Sequence, residues 1–133
     1  MYREISVKTR LREECISITA LVQGVVKEEG VRDGWCVVYV PHTTAGVTIQ
    51  ENADPDVIED LMAGLDRMVP HHVPYQHGEG NSPAHIKASL MGASVTVFIE
   101  EGRLLLGTWQ GIFLCEFDGP RNRRVWVKVV GIK

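Results

Sequence analysis

Residues 94–130 read SVTVFIEEGRLLLGTWQGIFLCEFDGPRNRRVWVKVV. β-Branched and aromatic residues run through this stretch, and turn formers cut it at Glu101-Gly102 and at Asp118-Gly119-Pro120. Runs of that composition between such breaks predict strands. Three successive strands with short links predict an antiparallel meander. Gly107 and Gly111 interrupt the middle run and point to a bulge or a close approach of backbone.

Outward from there, SPAHIKASLMG (82–92) predicts a helix with Ser82 as cap, Pro83 in first position and Gly92 at its end. ADPDVIEDLMAGLDRMV (53–69) predicts another. Asp54 caps it, Pro55 starts it, and Ile58, Leu61, Met62, Leu65 and Met68 form its apolar stripe. A loop from Pro70 to Asn81 joins the two. WCVVYV (35–40) reads as a buried strand stopped by Pro41, and REISVK (3–8) as a strand with Ile5 and Val7 on one face. Between them SITALVQGVVKEEG predicts a helix, with Thr19 as cap and Gly30 as stop. Strands and helices are only partly interleaved, which places the chain in the α+β class. Its 133 residues suit a single domain spanning 1–133.

A net charge of −3 gives no electrostatic reason to expect nucleic acid. No apolar run approaches the ~20 residues that span a bilayer, and MYREISVKTR lacks the apolar core of a secretory signal. Cys15, Cys36 and Cys115 are widely spaced and form no CxxC pair. They read as buried thiols of a cytoplasmic protein.

The chemistry-bearing residues cluster at element ends. His42 follows a buried strand, His77 lies in the long loop, and His85 opens a helix. A strand end, a loop and a helix start can meet at one edge of a sheet. Neutral imidazole is the ligating form, and three imidazoles suit Zn²⁺ or a similar divalent ion. There is no HExxH motif, and each histidine taken singly reads equally as a solvated one. His71 and His72 read as solvated or as helix C-terminal caps. HGEGNSPAH (77–85) offers backbone N–H groups beside a helix N-terminus, an arrangement that attracts phosphate, with Asn81 at its end. It also reads as a plain loop.

Thr43 and Thr44 either bind phosphate or cap a turn. Glu51 and Glu116 are the candidate proton acceptors. Trp109 reads as core or as a platform for a flat ring. Arg121 and Arg123 can clamp phosphate, or sit solvated at a hairpin tip. Replacing either with alanine is expected to weaken a phosphorylated ligand and leave the fold intact.

Taken together, HTTAG, ENAD, AHIKASLMG, SVTVFIEEGRLLLGTWQGI and EFDGPR resemble the sequence blocks of the YjbQ-like family, in order and across nearly the whole chain. Members of that family are described as secondary thiamine-phosphate synthases. Between His77 and Asn81 this chain has only Gly-Glu-Gly, where family members often carry a longer, more charged link. The resemblance implies a curved, largely antiparallel sheet packed with helices, a homotrimer, and a metal site on His42, His77 and His85. It also implies a phosphorylated small-molecule substrate. The activity would join hydroxymethylpyrimidine pyrophosphate to thiazole phosphate and release pyrophosphate. A metal-assisted phosphohydrolase and a non-catalytic trimer that binds a metal or an anionic metabolite are the alternatives. The apolar run LLLGTWQGIFLCEF adds an expectation of sheet surface left for other subunits.

Overall fold

The computed structural model describes residues 1–132. In chain order the elements are β1 (Tyr2–Lys8), β2 (Glu14–Ser17), α1 (Thr19–Glu29), β3 (Asp33–Tyr39), β4 (Ala45–Glu51), α2 (Pro55–Met68), α3 (Ser82–Met91), β5 (Ser94–Glu100), β6 (Arg103–Leu104), β7 (Gln110–Glu116) and β8 (Asn122–Gly131). The result is a single α+β domain with curled antiparallel sheets. One sheet runs β1-β8-β3-β5-β6 and the other β2-β7-β4, and every pairing is antiparallel.

Residues 94–130 do form strands, but not a meander. β3 lies between β5 and β8, and β7 leaves for the second sheet. The side chains explain the departure. β5 and β8 alternate, burying Val97 and Ile99, and Val125 and Val127, on one face only. β7 is buried on both faces from Gly111 to Glu116, so it needs a layer on each side. Ile112 and Leu114 join Val38, Val47, Ile99, Val125 and the buried face of α1 in the main core. Phe113 and Cys115 point the other way and pack with Leu65 of α2 and Ala84 and Ala88 of α3. The layers are therefore the five-stranded sheet, the three-stranded sheet with α1, and the α2–α3 pair.

This packing covers the second half of LLLGTWQGIFLCEF, from Gly111 to Phe117, while Leu105 and Trp109 stay exposed. An aromatic patch is uncovered on the outer face of the large sheet, where Tyr2 and Tyr39 flank Trp126 with ring centroids 5.1 and 5.8 Å away. Phe98 is exposed as well.

Helix ends follow local chemistry. Asp54 accepts the Asp56 N–H at 2.9 Å, and Pro55 starts α2. Gly30 takes the left-handed conformation that closes α1. Thr19 is the first residue of α1 rather than its cap, and its hydroxyl accepts the Ile112 N–H at 2.9 Å. Asn81, not Ser82, holds the cap position of α3. At Gly111 a Cβ would lie 2.8 Å from the Asn52 side chain, which is the close approach that a glycine in this strand allows.

Candidate functional site

One cavity of about 450 Å³ gathers most of the residues singled out above. The β3–β4 link gives it His42, Thr43 and Thr44. The loop before α3 gives His77, Glu79 and Asn81, α3 gives His85, and the turn into β8 gives Arg121 and Arg123. A neighbouring cavity of about 420 Å³ shares His42, Thr43 and His85 and extends along α3 to Ala88 and Ser89.

The floor is a buried ion pair. Arg123 Nε donates to Glu116 Oε1 at 2.9 Å, and Nη2 donates to Glu116 Oε2. Nη2 also reaches Thr44 Oγ1 at 2.8 Å and the Thr44 carbonyl at 3.2 Å. Glu116 takes two more bonds, from the Thr9 hydroxyl at 2.7 Å and the Asp118 N–H at 3.0 Å. Burial pushes its carboxyl up, but the Arg123, Thr9 and Asp118 bonds outweigh burial and leave it below the ordinary range. A fully buried carboxylate with both oxygens occupied is unavailable as a proton acceptor. Glu116 is therefore a support for Arg123 and Thr44. Arg123 itself is 3% exposed, so it is neither a solvated tip nor a residue removable without structural cost.

Arg121 is the exposed cation. Its Nε and Nη2 hold the Asp118 carbonyl and carboxylate at 2.8 and 2.9 Å. Asp118 also accepts the Asn81 amide at 2.9 Å, which ties the α3 cap residue to this turn. The remaining amide oxygen, Asn81 Oδ1, is buried without a hydrogen-bond partner. Such an acceptor calls for a cation or a donor group.

His77 and His85 stand edge to face, ring centroids 5.3 Å apart. His77 Nε2 lies 3.9 Å from Glu79. His42 accepts the Arg124 N–H on Nε2 at 2.9 Å. Burial, and then the Arg123 charge, hold His42 below its ordinary range, so it is neutral at neutral pH. The donor set suits a first-row divalent ion: three imidazoles, one of them held neutral, and an orphaned oxygen beside them. Binding through His42 Nε2 requires the ring to give up the Arg124 N–H. Among the described residues, the group whose ligand atoms all lie within 4.8 Å of one another is Glu13, Asp66 and His71, not the three histidines.

A family model described as UPF0047 protein YjbQ-like matches residues 3–132. The chain belongs to the YjbQ family. It is 51% identical over its whole length to the UPF0047 protein MJ1081 of Methanocaldococcus jannaschii, covering 96% of that protein. It is 49% identical to YugU of Bacillus subtilis, with 98% of the chain and all of that protein covered. Among solved structures, a YjbQ/UPF0047-family protein of Clostridium acetobutylicum superposes with a TM-score of 0.94 at 57% identity, over 96% of this chain and 99% of that one. A YbjQ-like protein of Sulfolobus solfataricus gives the same TM-score at 31% identity, over 99% and 97%.

Two site candidates lie elsewhere in this family fold. Glu51 ends β4, at the end of that strand away from His42, and its carboxylate accepts the Asp54 N–H at 3.1 Å. It lines a separate cavity of about 220 Å³ with Cys15 and Asn52. Trp109 is 63% exposed, so it is not core, and its carbonyl holds the Asn52 N–H at 2.7 Å. Within one chain neither reaches the histidine cavity.

One cluster escaped the sequence reading. Lys87 is fully buried, with its ammonium 2.7 Å from Glu13 and 2.5 Å from Asp66. His71 is not simply solvated: Nε2 lies 3.1 Å from Asp66 and Nδ1 3.2 Å from Arg12. A lysine beside Ala84 and Ala88 on the buried face of α3 is the signal that marks this cluster.

Proposed function

We propose that this YjbQ-family chain is a metal-dependent enzyme acting on a phosphorylated small molecule in the histidine cavity. Its most concrete form is thiamine-phosphate synthesis from hydroxymethylpyrimidine pyrophosphate and thiazole phosphate. The observation that carries the reading is one cavity holding three imidazoles, the unpartnered Asn81 Oδ1 and the exposed Arg121 guanidinium. His42, His77 and His85 would hold the ion, which would supply a positive charge against the departing diphosphate. Arg121, the Thr43 hydroxyl and the α3 N-terminus would hold phosphate oxygens. The reaction joins a thiazole nitrogen to the pyrimidine methylene carbon while the carbon–oxygen bond to pyrophosphate breaks. The nitrogen attacks with a lone pair and carries no proton to lose. Burial of Glu116 is thus no obstacle, because no proton acceptor is needed.

The protein would work as a cytoplasmic homotrimer. The exposed Tyr2, Tyr39, Trp126 and Phe98 face offers apolar surface for subunit contact. Among the described residues, no helix is long and apolar enough to cross a membrane.

The test is a product assay with both precursors on metal-reconstituted protein, run beside a panel of phosphate esters. Thiamine phosphate with matching pyrophosphate supports the synthase. Ester hydrolysis alone transfers the site to a phosphohydrolase, for which Glu79 beside His77 is the carboxylate at hand. Metal and phosphate binding without turnover leaves a binding protein. Light scattering should give three chains per particle; a monomer at micromolar concentration overturns the trimer.

A further inference from the structure

One residue along β7 from Glu116, on the side that packs against α2 and α3, lies a second reactive arrangement. Cys15 on β2 and Cys115 on β7 are direct cross-strand partners. Their sulfurs lie 3.3 Å apart, and Cys15 Sγ is also 3.4 Å from Met62 Sδ on α2. Directly opposed antiparallel residues have Cα atoms roughly 4.5–5.5 Å apart, which falls inside the roughly 4.4–6.8 Å that a disulfide spans. Side-chain rotation alone can therefore close the bond. Access is one-sided: Cys15 is half-buried and lines the 220 Å³ cavity beside Asn52 and Asp54, whereas Cys115 is fully buried.

We propose that Cys15 and Cys115 form a reversible thiol–disulfide site, oxidised by small hydroperoxides entering at Cys15 and closed by Cys115. In the first step the Cys15 sulfur attacks the peroxide, the O–O bond breaks, and a sulfenic acid forms as water or an alcohol leaves with the Cys15 proton. In the second the Cys115 sulfur attacks the Cys15 sulfur, the S–O bond breaks, and hydroxide leaves as water with the Cys115 proton. Two thiols thereby give two electrons to one peroxide.

The roles follow from the surroundings. A hydrogen bond from Cys115 holds the Cys15 thiol below its ordinary range, against burial and the nearby Glu14 and Glu13 charges. The Cys115 thiol is pushed far up by that same bond and by burial, and it attacks only after Cys15 has reacted. Cys36 lies in the other sheet, buried, its thiol pushed up to about 11 by burial, and serves as an internal control. Cytosolic disulfides of this kind are transient and redox-sensing rather than structural.

The experiment treats the native chain with equimolar hydrogen peroxide, quenches with acid, and counts thiols after denaturation, with peptide mapping. The count should fall from three to one, with one intrachain Cys15–Cys115 cross-link that dithiothreitol reverses. The link should form about tenfold or more faster in the native chain than in urea, because the fold holds the sulfurs together. Cys115→Ser should leave a sulfenic acid on Cys15 that a cyclic diketone traps, and Cys36→Ser should keep the cross-link. Three surviving thiols, oxidation confined to Met62, or chains joined Cys15 to Cys15 would each overturn the proposal.

Discussion

His85 and Lys87 are two residues apart on α3, roughly 200° around the helix axis, and so serve opposite sides of it. On one side Lys87 is sealed among Glu13, Asp66 and His71, with its charge matched at 2.7 and 2.5 Å. On the other, His85 faces His42 and His77 across an open cavity, with Asn81 Oδ1 left unpartnered. Both regions draw on histidine, carboxylate and cation. They differ in whether a cation of the chain already sits among the candidate ligand atoms. The Lys87 ammonium contacts both carboxylates of the one tight ligand group among the described residues, so it already fills the place that a metal ion would take. The histidine cavity has donors and no ammonium among them. A closed cluster of this kind stabilises; an open one is free to bind.

The largest effect on stability is expected at the cavity floor. Arg123→Ala leaves Glu116 buried and unpaired, which costs about 3–5 kcal/mol. Urea denaturation checks this, and Arg123→Met with Glu116→Leu should recover much of the loss because both charges go together. A single-variant loss below about 1 kcal/mol would show that water reaches Glu116 after all. Lys87→Met comes next, at about 1–3 kcal/mol. It is smaller because Asp66 is half exposed and rehydrates once the ammonium is gone. If Lys87→Met instead gained tight divalent-ion binding at Glu13, Asp66 and His71, the closed cluster would be a metal site held shut by one residue.

The two regions were not equally legible in the sequence. His42, His77 and His85 were visible because they stand at a strand end, a loop and a helix start, and such ends collect on sheet edges. The Arg123–Glu116 pair was not. Its partners are seven residues apart on different strands, and the Asp-Gly turn between them reads as a solvated tip. The fold class followed from the patterns of α2, α3 and β5. The strand order did not, because pairing β3 between β5 and β8 is a choice made by long-range packing. The unbroken apolar run Ile112–Cys115 was the available sign that β7 belongs to a middle layer. β2 and β4 were missed. β2 is only four residues long, and the stretch around β4 stands out for Thr43 and Thr44 before the strand and Glu51 at its end rather than for the alternation between them.

A smaller effect is expected from pH. His42 is held below its ordinary value of 6.5 in the folded chain, so the unfolded chain binds the proton more readily. Its contribution to stability is complete above about pH 6.5 and is lost as pH falls through the lower folded value. Glu116 is likewise held below its ordinary 4.5, and its contribution is lost only in stronger acid. Stability measured from pH 7 to 3.5 should therefore fall gently at first and steeply later. His42→Gln should abolish the gentle phase alone. If the gentle phase persists in that variant, the neutral state of His42 does not contribute.

The smallest change in stability, and the sharpest separation of the two regions, should come from His85→Ala. Its ring touches no buried ion pair, and its edge contact is with His77, which is itself part exposed. Stability should stay within about 0.5 kcal/mol of the wild type. Metal content and activity should nonetheless collapse, because two imidazoles and an amide oxygen hold a divalent ion far more weakly than three imidazoles do. His71→Ala should do the reverse: metal content is unchanged, while stability falls measurably as Asp66 loses a partner at 3.1 Å. Elemental analysis beside urea denaturation on both variants reads out the contrast. Loading the wild type adds a further readout. Coordination through His42 Nε2 takes the lone pair that now accepts the Arg124 N–H, so the Arg124 amide resonance should shift on metal addition while the Lys87 surroundings stay still. Equal metal in wild type and His85→Ala, with a stationary Arg124 amide, would return the three histidines to ordinary cavity-lining residues.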